Sequence, residues 1–348
     1  MKAKRLLLVL SGLFLLLGLN GCGGGGGGGG ESGQPLSVDP SSAAAHSSAR
    51  TISPAADFPY QVTVLESLGE QCYAVALNDN QQVVGNYLDA ANQLHAFIWD
   101  RQGVATLAQM AQVTAINHYG QAVGWLEDGR DQAYFYDSDG VLYYLPEMAG
   151  ASRALAVNDL GQTAGRISGA SEQAFFESEV GVEVVAPELM GYAVGLNESG
   201  EMLIKGLEND RIRSYLWSNG TLVDLGALGG EETQAEDINA AGQVVGWSQT
   251  ATGATHAFLW EDGQMQDLGT LAGDFSAAVA INDRGQVLIK SSTVAEDRTL
   301  LYAEGRIVDL GNFGVDYAVA ADINNFGEIV GWLQAADGSL RAFLAVPR

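Results

Sequence analysis

The sequence predicts an all-β fold, a β-propeller of seven blades, and three observations support this prediction. A ten-residue phrase occurs in nearly the same form three times, as INHYGQAVGW, INAAGQVVGW and INNFGEIVGW. Its asparagine recurs seven times, at spacings of 39 to 43 residues. Each copy contains four short strand signals and no helical periodicity, which is typical of a propeller blade.

The repeated asparagine is predicted to hold a tight hairpin. An aliphatic residue precedes it in every copy, glycine follows three positions later in six of the seven, and Gln or Glu follows four positions later in all seven. This pattern favours a type I turn held by side-chain hydrogen bonds to nearby backbone. We prefer this structural role to seven ligand sites, because no copy offers the oxygens that calcium needs. The turn residues are Asn78, Asn117, Asn158, Asn197, Asn239, Asn282 and Asn324.

The fifth copy shows the four strand signals most clearly. Each is short, contains β-branched or aromatic residues, and is bounded by Gly, Asn, Asp or Ser. The Asp262-Gly263 pair predicts the hairpin between the third and fourth strands. The predicted strands are Ala235–Ile238, Gln243–Trp247, His256–Trp260 and Gln264–Leu268.

The two ends of the repeat region predict how the propeller closes. The last copy stops one strand short, after Arg341–Leu344, whereas residues 60–69 resemble a fourth strand with its Leu-Gly ending. We therefore expect the N-terminal strand to complete the last blade. A linear β-solenoid is the alternative, although it would show atypical capping repeats at its ends.

The repeats resemble a known bacterial family. His95–Trp99 (HAFIW), His256–Trp260 (HAFLW) and Asp267–Leu271 (DLGTL) are similar to the "extracellular repeat, HAF family", which is named for the His-Ala-Phe triplet. The resemblance extends over residues 60–348 and is weakest in the sixth copy, where Leu300-Leu301 replace Ala-Phe. The family has no established common activity, so the resemblance implies fold and location only.

Residues 1–21 are predicted to form a lipoprotein signal peptide. A basic start precedes the apolar run Leu6–Leu19, which is too short to span a bilayer comfortably. The following Leu19–Cys22 segment resembles a bacterial lipobox, which would make Cys22 the lipidated first residue of the mature chain; ordinary secretion, with Cys22 as a bystander, is the alternative. We expect a bacterial cell-envelope protein anchored to the membrane by lipid, and specifically an outer-membrane lipoprotein facing the periplasm or the cell surface.

Residues 22–57 are predicted to be a flexible tether. Eight glycines, Gly23–Gly30, are followed by a Ser/Ala/Pro-rich stretch, which cannot bury enough apolar surface to become ordered. Such a tether has a root-mean-square reach of roughly 30–35 Å. The propeller would then occupy residues 58–348.

Charge and composition exclude some partners. The formal net charge of −25 argues against nucleic acid, which requires basic patches. The four histidines lie at unrelated repeat positions, so no histidine metal site is expected, and lipidation of Cys22 would leave Cys72 without an intramolecular disulfide partner. The Asp137–Gly140 segment resembles the start of a calcium loop, but no later acidic ligand completes it. We expect no cofactor, and Ca²⁺ is the one ion left as a hypothesis.

Two of the seven predicted innermost strands differ from the rest. Two positions before the asparagine, five copies have Ala or Gly, whereas the other two have Asp237 and Asp322, with Glu236 beside the first. Carboxylates in a crowded inner layer must be paired, solvated or bound to a cation. These three residues are therefore the candidate channel, cation or ligand site. Hydration or hydrogen bonding to backbone is the alternative.

The longer loops differ between copies, and loops on a regular scaffold often carry function. The inter-blade loops contain Glu231, Glu232, Asp274 and Asp316, which predicts an acidic face. We expect a non-catalytic scaffold that binds a protein, glycan or small ligand, and we assign no catalytic residue. The alternative is a polysaccharide hydrolase or lyase, because carboxylates from different blades could pair on this face.

Overall fold

The computed structural model describes residues 36–37, 50–52, 58–65, 69, 71–127, 129–271, 273–292 and 296–348. The predicted signal peptide, Cys22 and most of the predicted tether lie outside these residues. Over the described ranges the chain forms strands and no α-helix, which confirms the all-β prediction. Accordingly, the described part of the chain has no helix long and apolar enough to cross a membrane.

Three strands precede the first repeat, and the others follow in antiparallel sets of four that we call units 1 to 7. The first three are β1 (Leu36–Ser37), β2 (Arg50–Ile52) and β3 (Tyr60–Val64). Unit 1 contains β4 (Gln71–Leu77), β5 (Val83–Leu88), β6 (Leu94–Asp100) and β7 (Gly103–Ala108). Unit 2 contains β8 (Ala111–Ile116), β9 (Ala122–Leu126), β10 (Gln132–Tyr136) and β11 (Val141–Tyr144). Unit 3 contains β12 (Ala151–Val157), β13 (Thr163–Ser168), β14 (Glu172–Ser178) and β15 (Gly181–Val185).

The remaining units follow the same plan. Unit 4 contains β16 (Met190–Leu196), β17 (Met202–Glu208), β18 (Arg211–Ser218) and β19 (Thr221–Asp224). Unit 5 contains β20 (Gly229–Ile238), β21 (Val244–Thr250), β22 (Thr255–Glu261) and β23 (Gln264–Gly269). Unit 6 contains β24 (Phe275–Ile281), β25 (Val287–Ser292), β26 (Asp297–Ala303) and β27 (Arg306–Gly311). Unit 7 contains β28 (Ala318–Ile323), β29 (Ile329–Gln334) and β30 (Leu340–Pro347), and β3 is its fourth strand.

The first strand of every unit, which we call its inner strand, contains a β-bulge at the same place. The register with the second strand shifts between the fourth and the second residue before the repeated asparagine, as between Ala235 and Asp237 in unit 5. A bulge leaves one residue unpaired and re-aims its side chain. The unpaired residues are Val75, Thr114, Leu155, Val194, Glu236, Val279 and Ala321.

Five units have glycine seven positions after the asparagine, where the chain packs closely beside this bulge, and units 4 and 6 have Ile204 and Ile289 there. A Cβ atom on Gly246 would lie 2.0 Å from the carbonyl oxygen of Gln234, and one on Gly124 would lie 1.8 Å from that of Gln112. The aromatic residue of the third strand faces the same glycine, as Phe258 faces Gly246. The glycine therefore leaves room both for the inner-strand backbone and for an aromatic ring.

The sixth copy differs from the sequence interpretation by one residue. Ile289 replaces the glycine and pairs with Leu300, so Thr299-Leu300 occupy the Ala-Phe positions. The assignment of Leu300-Leu301 to those positions was wrong. The aliphatic pair Ile289 and Leu300 stands where five other units have glycine and an aromatic residue, and this change removed the signal on which the alignment depended.

The repeated asparagines connect each hairpin to the next unit. In unit 3, Asn158 Oδ1 accepts hydrogen bonds from the backbone N–H groups of Leu160 and Gln162, and Nδ2 donates to the carbonyl oxygen of Asn197 at 3.0 Å. The other six asparagines repeat both interactions with their own neighbours. Asn324 Nδ2 donates to the carbonyl oxygen of Asn78 at 3.2 Å, 246 residues away in the chain.

Hydrophobic clusters lie between neighbouring units. Ala156 and Val185 of unit 3 share one cluster with Leu196 and Met202 of unit 4. Another joins unit 7 to unit 1 and includes Val330, Leu344, Cys72, Leu77 and Phe97. Burial of apolar surface between units is the main favourable contribution to the stability of such a fold.

The basic residue of the His-Ala-Phe triplet binds the aspartate of the Asp-Leu-Gly triplet. His256 Nδ1 lies 2.9 Å from Asp267, and Arg213 occupies the same position in unit 4, where its Nη2 lies 2.7 Å from Asp224. Arg298 and Asp309 form the corresponding pair in unit 6. The two repeated phrases are thus parts of one structural contact in units 4, 5 and 6, whereas His95 of unit 1 lies 3.1 Å from Asp89 instead.

Candidate binding site

Asp237 and Asp322 connect the inner strands of neighbouring units. Asp237 Oδ1 accepts a hydrogen bond from the N–H of Ile238, and its Oδ2 accepts one at 2.8 Å from Ile281 of unit 6. Asp322 uses the same geometry toward Ile323 and, at 2.9 Å, toward Leu77 of unit 1. Both carboxylates thus bond to backbone, the arrangement that the sequence left as the alternative to cation binding.

The two aspartates are partly exposed but strongly desolvated. Desolvation raises the pKa of Asp237 to about 7, and the negative charge of Asp322 adds to the shift. Desolvation likewise raises the pKa of Asp322 to about 6. Its two hydrogen bonds from backbone N–H groups lower the pKa and offset part of this effect. In the folded chain both carboxyl groups therefore hold their proton up to a higher pH than an ordinary aspartate does.

The pKa shifts predict that the fold loses stability as the pH rises. An aspartate in an unfolded chain titrates near 4, so between about pH 4 and 7 the folded chain holds protons that the unfolded chain has released. The free energy of unfolding should fall across this window by at most about 4 kcal/mol for Asp237 and should level off above it. Urea unfolding from pH 4.5 to 8 measures the profile.

Alanine is a suitable replacement for both aspartates in a control variant, because the other five units have Ala or Gly at the same repeat position. The double variant Asp237→Ala, Asp322→Ala should give a flatter pH profile than the wild type. Superimposable profiles for the two proteins would contradict the assignment of the pH dependence to these carboxyl groups.

Glu236 does not join the two aspartates. It is the bulge residue of β20, and its Oε2 lies 2.8 Å from Lys205 Nζ of unit 4, whereas Asp237 bonds to unit 6. Lys205 is only 1% exposed. Burial lowers the pKa of Lys205, and Glu236 acts in the opposite direction. Glu236 and Asp237 are adjacent in β20 but thus contact the units on opposite sides of unit 5, unit 4 and unit 6 respectively.

The Lys205–Glu236 pair belongs to a larger group of polar and aromatic side chains, which we call the charged–aromatic cluster. It extends over the first three strands of unit 3, the first two strands of unit 4, the inner strand of unit 5 and part of unit 2. Its members are Trp125, Asp131, Arg153, Arg166, Glu172, Tyr192, Lys205 and Glu236.

Contacts run through the cluster from unit to unit. The Arg153 guanidinium lies 4.7 Å from the centre of the Trp125 ring, and its Nε donates a 2.5 Å hydrogen bond to Asp131. Arg153 and Arg166 are opposite each other in the strand pair. The Arg166 guanidinium lies 5.8 Å from the centre of the Tyr192 ring, and Arg166 Nη1 lies 3.8 Å from Glu172.

The charged–aromatic cluster was not among the sites that the sequence predicts. The signal that could have found it is the residue directly after the repeated glycine position, where hydrophobicity and charge change from copy to copy. In chain order these residues are Asn86, Trp125, Arg166, Lys205, Trp247, Lys290 and Trp332. Lys205 and Arg166 are buried or nearly buried cations there, which repeat alignment alone could not show.

The other sequence-based site hypotheses lie elsewhere. Asp137 Oδ1 accepts hydrogen bonds from the N–H groups of Asp139 and Val141, so this carboxylate holds a hairpin turn. Among the acidic loop residues, Glu231 pairs with Arg211. Within the described ranges, no group of three or more His, Cys, Asp or Glu side chains is arranged to hold a metal ion.

Comparison with solved structures shows the fold. The acylaminoacyl peptidase of Pyrococcus horikoshii matches with a TM-score of 0.54 and 10% identity, over 78% of this chain and 51% of the peptidase. "YCF48 bound to D1 peptide" matches with a TM-score of 0.54 and 12% identity, over 85% of this chain and 97% of that one. This chain thus spans about half the length of the peptidase.

These similarities, together with the four-stranded units, identify the fold as a β-propeller. At 10–12% identity they carry no information on activity. No family model matches the chain, and no curated protein sequence matches it.

Proposed function

We propose that units 1 to 7 are the blades of a seven-bladed propeller that β3 closes by completing the last blade. Five residues of β3 pair antiparallel with β30, from Tyr60 opposite Pro347 to Val64 opposite Phe343. The asparagine hydrogen bonds run from each unit to the next and from unit 7 back to unit 1. The bond between Asp322 and Leu77 crosses the same junction.

We further propose that the protein is a non-catalytic binding scaffold of the bacterial cell envelope, of the HAF repeat type. The observation that carries the binding role is the asymmetry of the inner strands. Units 2 to 5 contribute the charged–aromatic cluster, whereas unit 7 has Val319 and Ala321 where units 3 and 5 have Arg153 and Glu236. A few polar groups set in an otherwise apolar and aromatic surface are typical of ligand sites.

Screening of the purified protein on a glycan array and against chromogenic glycosides tests the binding role. Binding without turnover is expected. Turnover that is lost when one cluster carboxylate is changed, for example in Glu172→Gln, would contradict a non-catalytic role and support the polysaccharide hydrolase or lyase.

Lipid anchoring through Cys22 is the remaining part of the proposal, and it rests on the order of basic start, apolar run, small residue and cysteine. A Cys22→Ser variant should lose incorporation of labelled fatty acid and move from the membrane fraction to the soluble fraction, because one or two acyl chains supply the membrane affinity. Cys72→Ser is the matched control and should leave both readouts unchanged. Labelling that persists in Cys22→Ser would contradict the assignment.

A further inference from the structure

We propose that the outer edge of unit 3 binds an extended peptide in which basic and apolar residues alternate. The surface consists of β15 and of a cavity between β15 and unit 4, and we call it the unit 3 edge. It uses different strands from the charged–aromatic cluster, so this proposal goes beyond the function proposed above. Three features carry it: a free strand edge, an acidic cavity, and the two different faces of β15.

The outer edge of β15 is free to accept a further strand. β15 is the last strand of its sheet, and within the described ranges no other strand pairs with this edge. The tight turn between Ser178 and Gly181 makes these two residues a hydrogen-bonded pair of the hairpin. Because hydrogen-bonded pairs alternate along an antiparallel ladder, Val182 and Val184 direct their backbone N–H and C=O groups outward. Such a row of groups is a template for another strand.

Two other units show that an outer edge of this fold accepts a fifth strand. In unit 2, β1 pairs antiparallel with β11, with Leu36 opposite Leu142. Leu142 occupies the same repeat position as Val182 in unit 3, because each pairs with the residue two positions after the Ala-aromatic pair. In unit 7, β2 pairs with the outer edge of β3. Strand addition therefore occurs twice within this chain, once at the position equivalent to Val182.

A cavity of about 300 Å³ lies beside this edge, between unit 3 and unit 4. Its lining includes Glu183, Glu188, Trp217 and Leu222, and no lysine, arginine or histidine is among the described residues that line it. The partly exposed Trp217 ring packs 5.9 Å from the Phe176 ring, centre to centre. An indole face attracts a cation, and the two carboxylates add to this attraction. The cavity therefore suits a basic side chain.

The chain segment around the cavity is strongly acidic. Residues 177–188 contain no lysine, arginine or histidine and four glutamates, which are Glu177, Glu179, Glu183 and Glu188. Within the described part of the chain none of these four forms a salt bridge, whereas Glu231 of unit 5 pairs with Arg211. The negative charge of the segment is thus uncompensated, which favours a cationic partner and disfavours an anionic one.

The two faces of β15 determine the pattern of the peptide. Val185 packs in the cluster shared by units 3 and 4, so Glu183, two residues earlier, lies on the same face. Val182 and Val184 lie on the opposite face, where Val184 is 42% exposed. Side chains of an added strand lie beside those of its neighbour. Basic residues would therefore lie next to Glu183 and the cavity, and apolar residues next to Val184.

Isothermal titration with the peptide acetyl-Lys-Val-Lys-Val-Lys-Val-Lys-amide tests the proposal. We expect binding that weakens as the salt concentration rises, because salt screens the attraction between exposed charges. The same peptide with every backbone N–H methylated keeps its side chains but cannot donate backbone hydrogen bonds, so it should not bind. The corresponding Glu-Val peptide should not bind either.

Two variants locate the binding site on unit 3. Val184→Pro removes one outward N–H, which an edge strand tolerates, and should weaken binding about fivefold, the effect of one lost hydrogen bond. Glu183→Gln should weaken binding about two- to fivefold, the effect of one exposed ion pair. Glu304→Gln is the matched control, because it removes an exposed carboxylate beside the fourth strand of unit 6, and it should leave the affinity unchanged. Thermal unfolding establishes that each variant is folded.

Three results would overturn the proposal. They are no binding of the Lys-Val peptide, equally tight binding of its methylated form, and equal weakening by Glu183→Gln and Glu304→Gln, which would reduce the effect to total charge. None of these results touches the scaffold role proposed above, which the glycan array tests independently. Val184→Pro should accordingly leave any glycan binding unchanged, and a matching loss of glycan and peptide binding in this folded variant would contradict a separate peptide site.

Discussion

Replacement of Gly246 by alanine is expected to destabilise the fold by more than about 2 kcal/mol, the range of strained or overpacked core substitutions. The new Cβ would lie 2.0 Å from the carbonyl oxygen of Gln234 and 2.8 Å from the Cα of Ala235. Both are backbone atoms of the inner strand, and they are fixed by the bulge and by the neighbouring unit. Relief of the clash would require the hairpin to separate or the bulge to change register.

Gly169→Ala is the matched control for this substitution. Its Cβ would meet nothing within 4 Å, and the residue is not among those with positive φ. We expect this variant to be neutral or to gain up to about 1 kcal/mol, because alanine restricts the unfolded chain. Thermal and urea unfolding of both variants give the comparison. Equal stability of Gly246→Ala and wild type would contradict the close approach of the two strands.

The second large effect is expected for Asn158→Ala. The side chain is 1% exposed and makes four hydrogen bonds, to the backbone of Leu160, Gln162 and Asn197 and to the Gln162 side chain. Alanine would leave buried donors and an acceptor of two units unpaired. At about 1 kcal/mol per hydrogen bond, we expect a loss of about 2–4 kcal/mol in the free energy of unfolding.

Asn80→Ala provides the contrast, because this exposed side chain also donates to the next unit but makes a single such bond, to the carbonyl oxygen of His118. We expect a change of less than about 0.5 kcal/mol there. The isosteric variant Asn158→Asp separates the two roles of the side chain. It keeps the acceptor for the turn and loses the donor toward Asn197, so it should also be strongly destabilised at neutral pH.

The repeat pattern made much of the fold predictable. Because one phrase occurs in seven copies, each strand boundary can be located seven times, and a strand whose signal is weak in one copy is supported by the other copies. The predicted strand Gln264–Leu268 differs from the observed β23 by one residue at its end. The sixth copy shows the limit of this approach, because two compensating substitutions, Ile289 and Leu300, obscured the alignment there.

The candidate site was less predictable because side-chain partners come from different copies. The sequence identified Asp237, Asp322 and Glu236 as departures from the repeat, but their partners lie 31 to 245 residues away. Trp125 and Arg166 occupy the same repeat position in different copies, where nothing in the repeat pattern distinguishes them from ordinary variation. Only the packing of consecutive units brings these variable positions together.

The closed ring is the central claim about the fold, because the contacts between unit 7 and unit 1 depend on it, and a cysteine pair tests it most directly. Gln61 of β3 and Val346 of β30 face each other in the strand pair, where opposite Cα atoms lie about 4.5–5.5 Å apart, a separation that a disulfide can bridge.

The measurement is the yield of intramolecular disulfide, by mass spectrometry and non-reducing electrophoresis, in the variant Gln61→Cys, Val346→Cys. Gln61→Cys with Ser339→Cys, near the far end of β30, is the control. A closed ring predicts nearly complete oxidation of the first pair and little of the second. A linear solenoid would hold the two ends of the repeat region apart, so absence of the disulfide in the folded first variant would contradict the closed propeller.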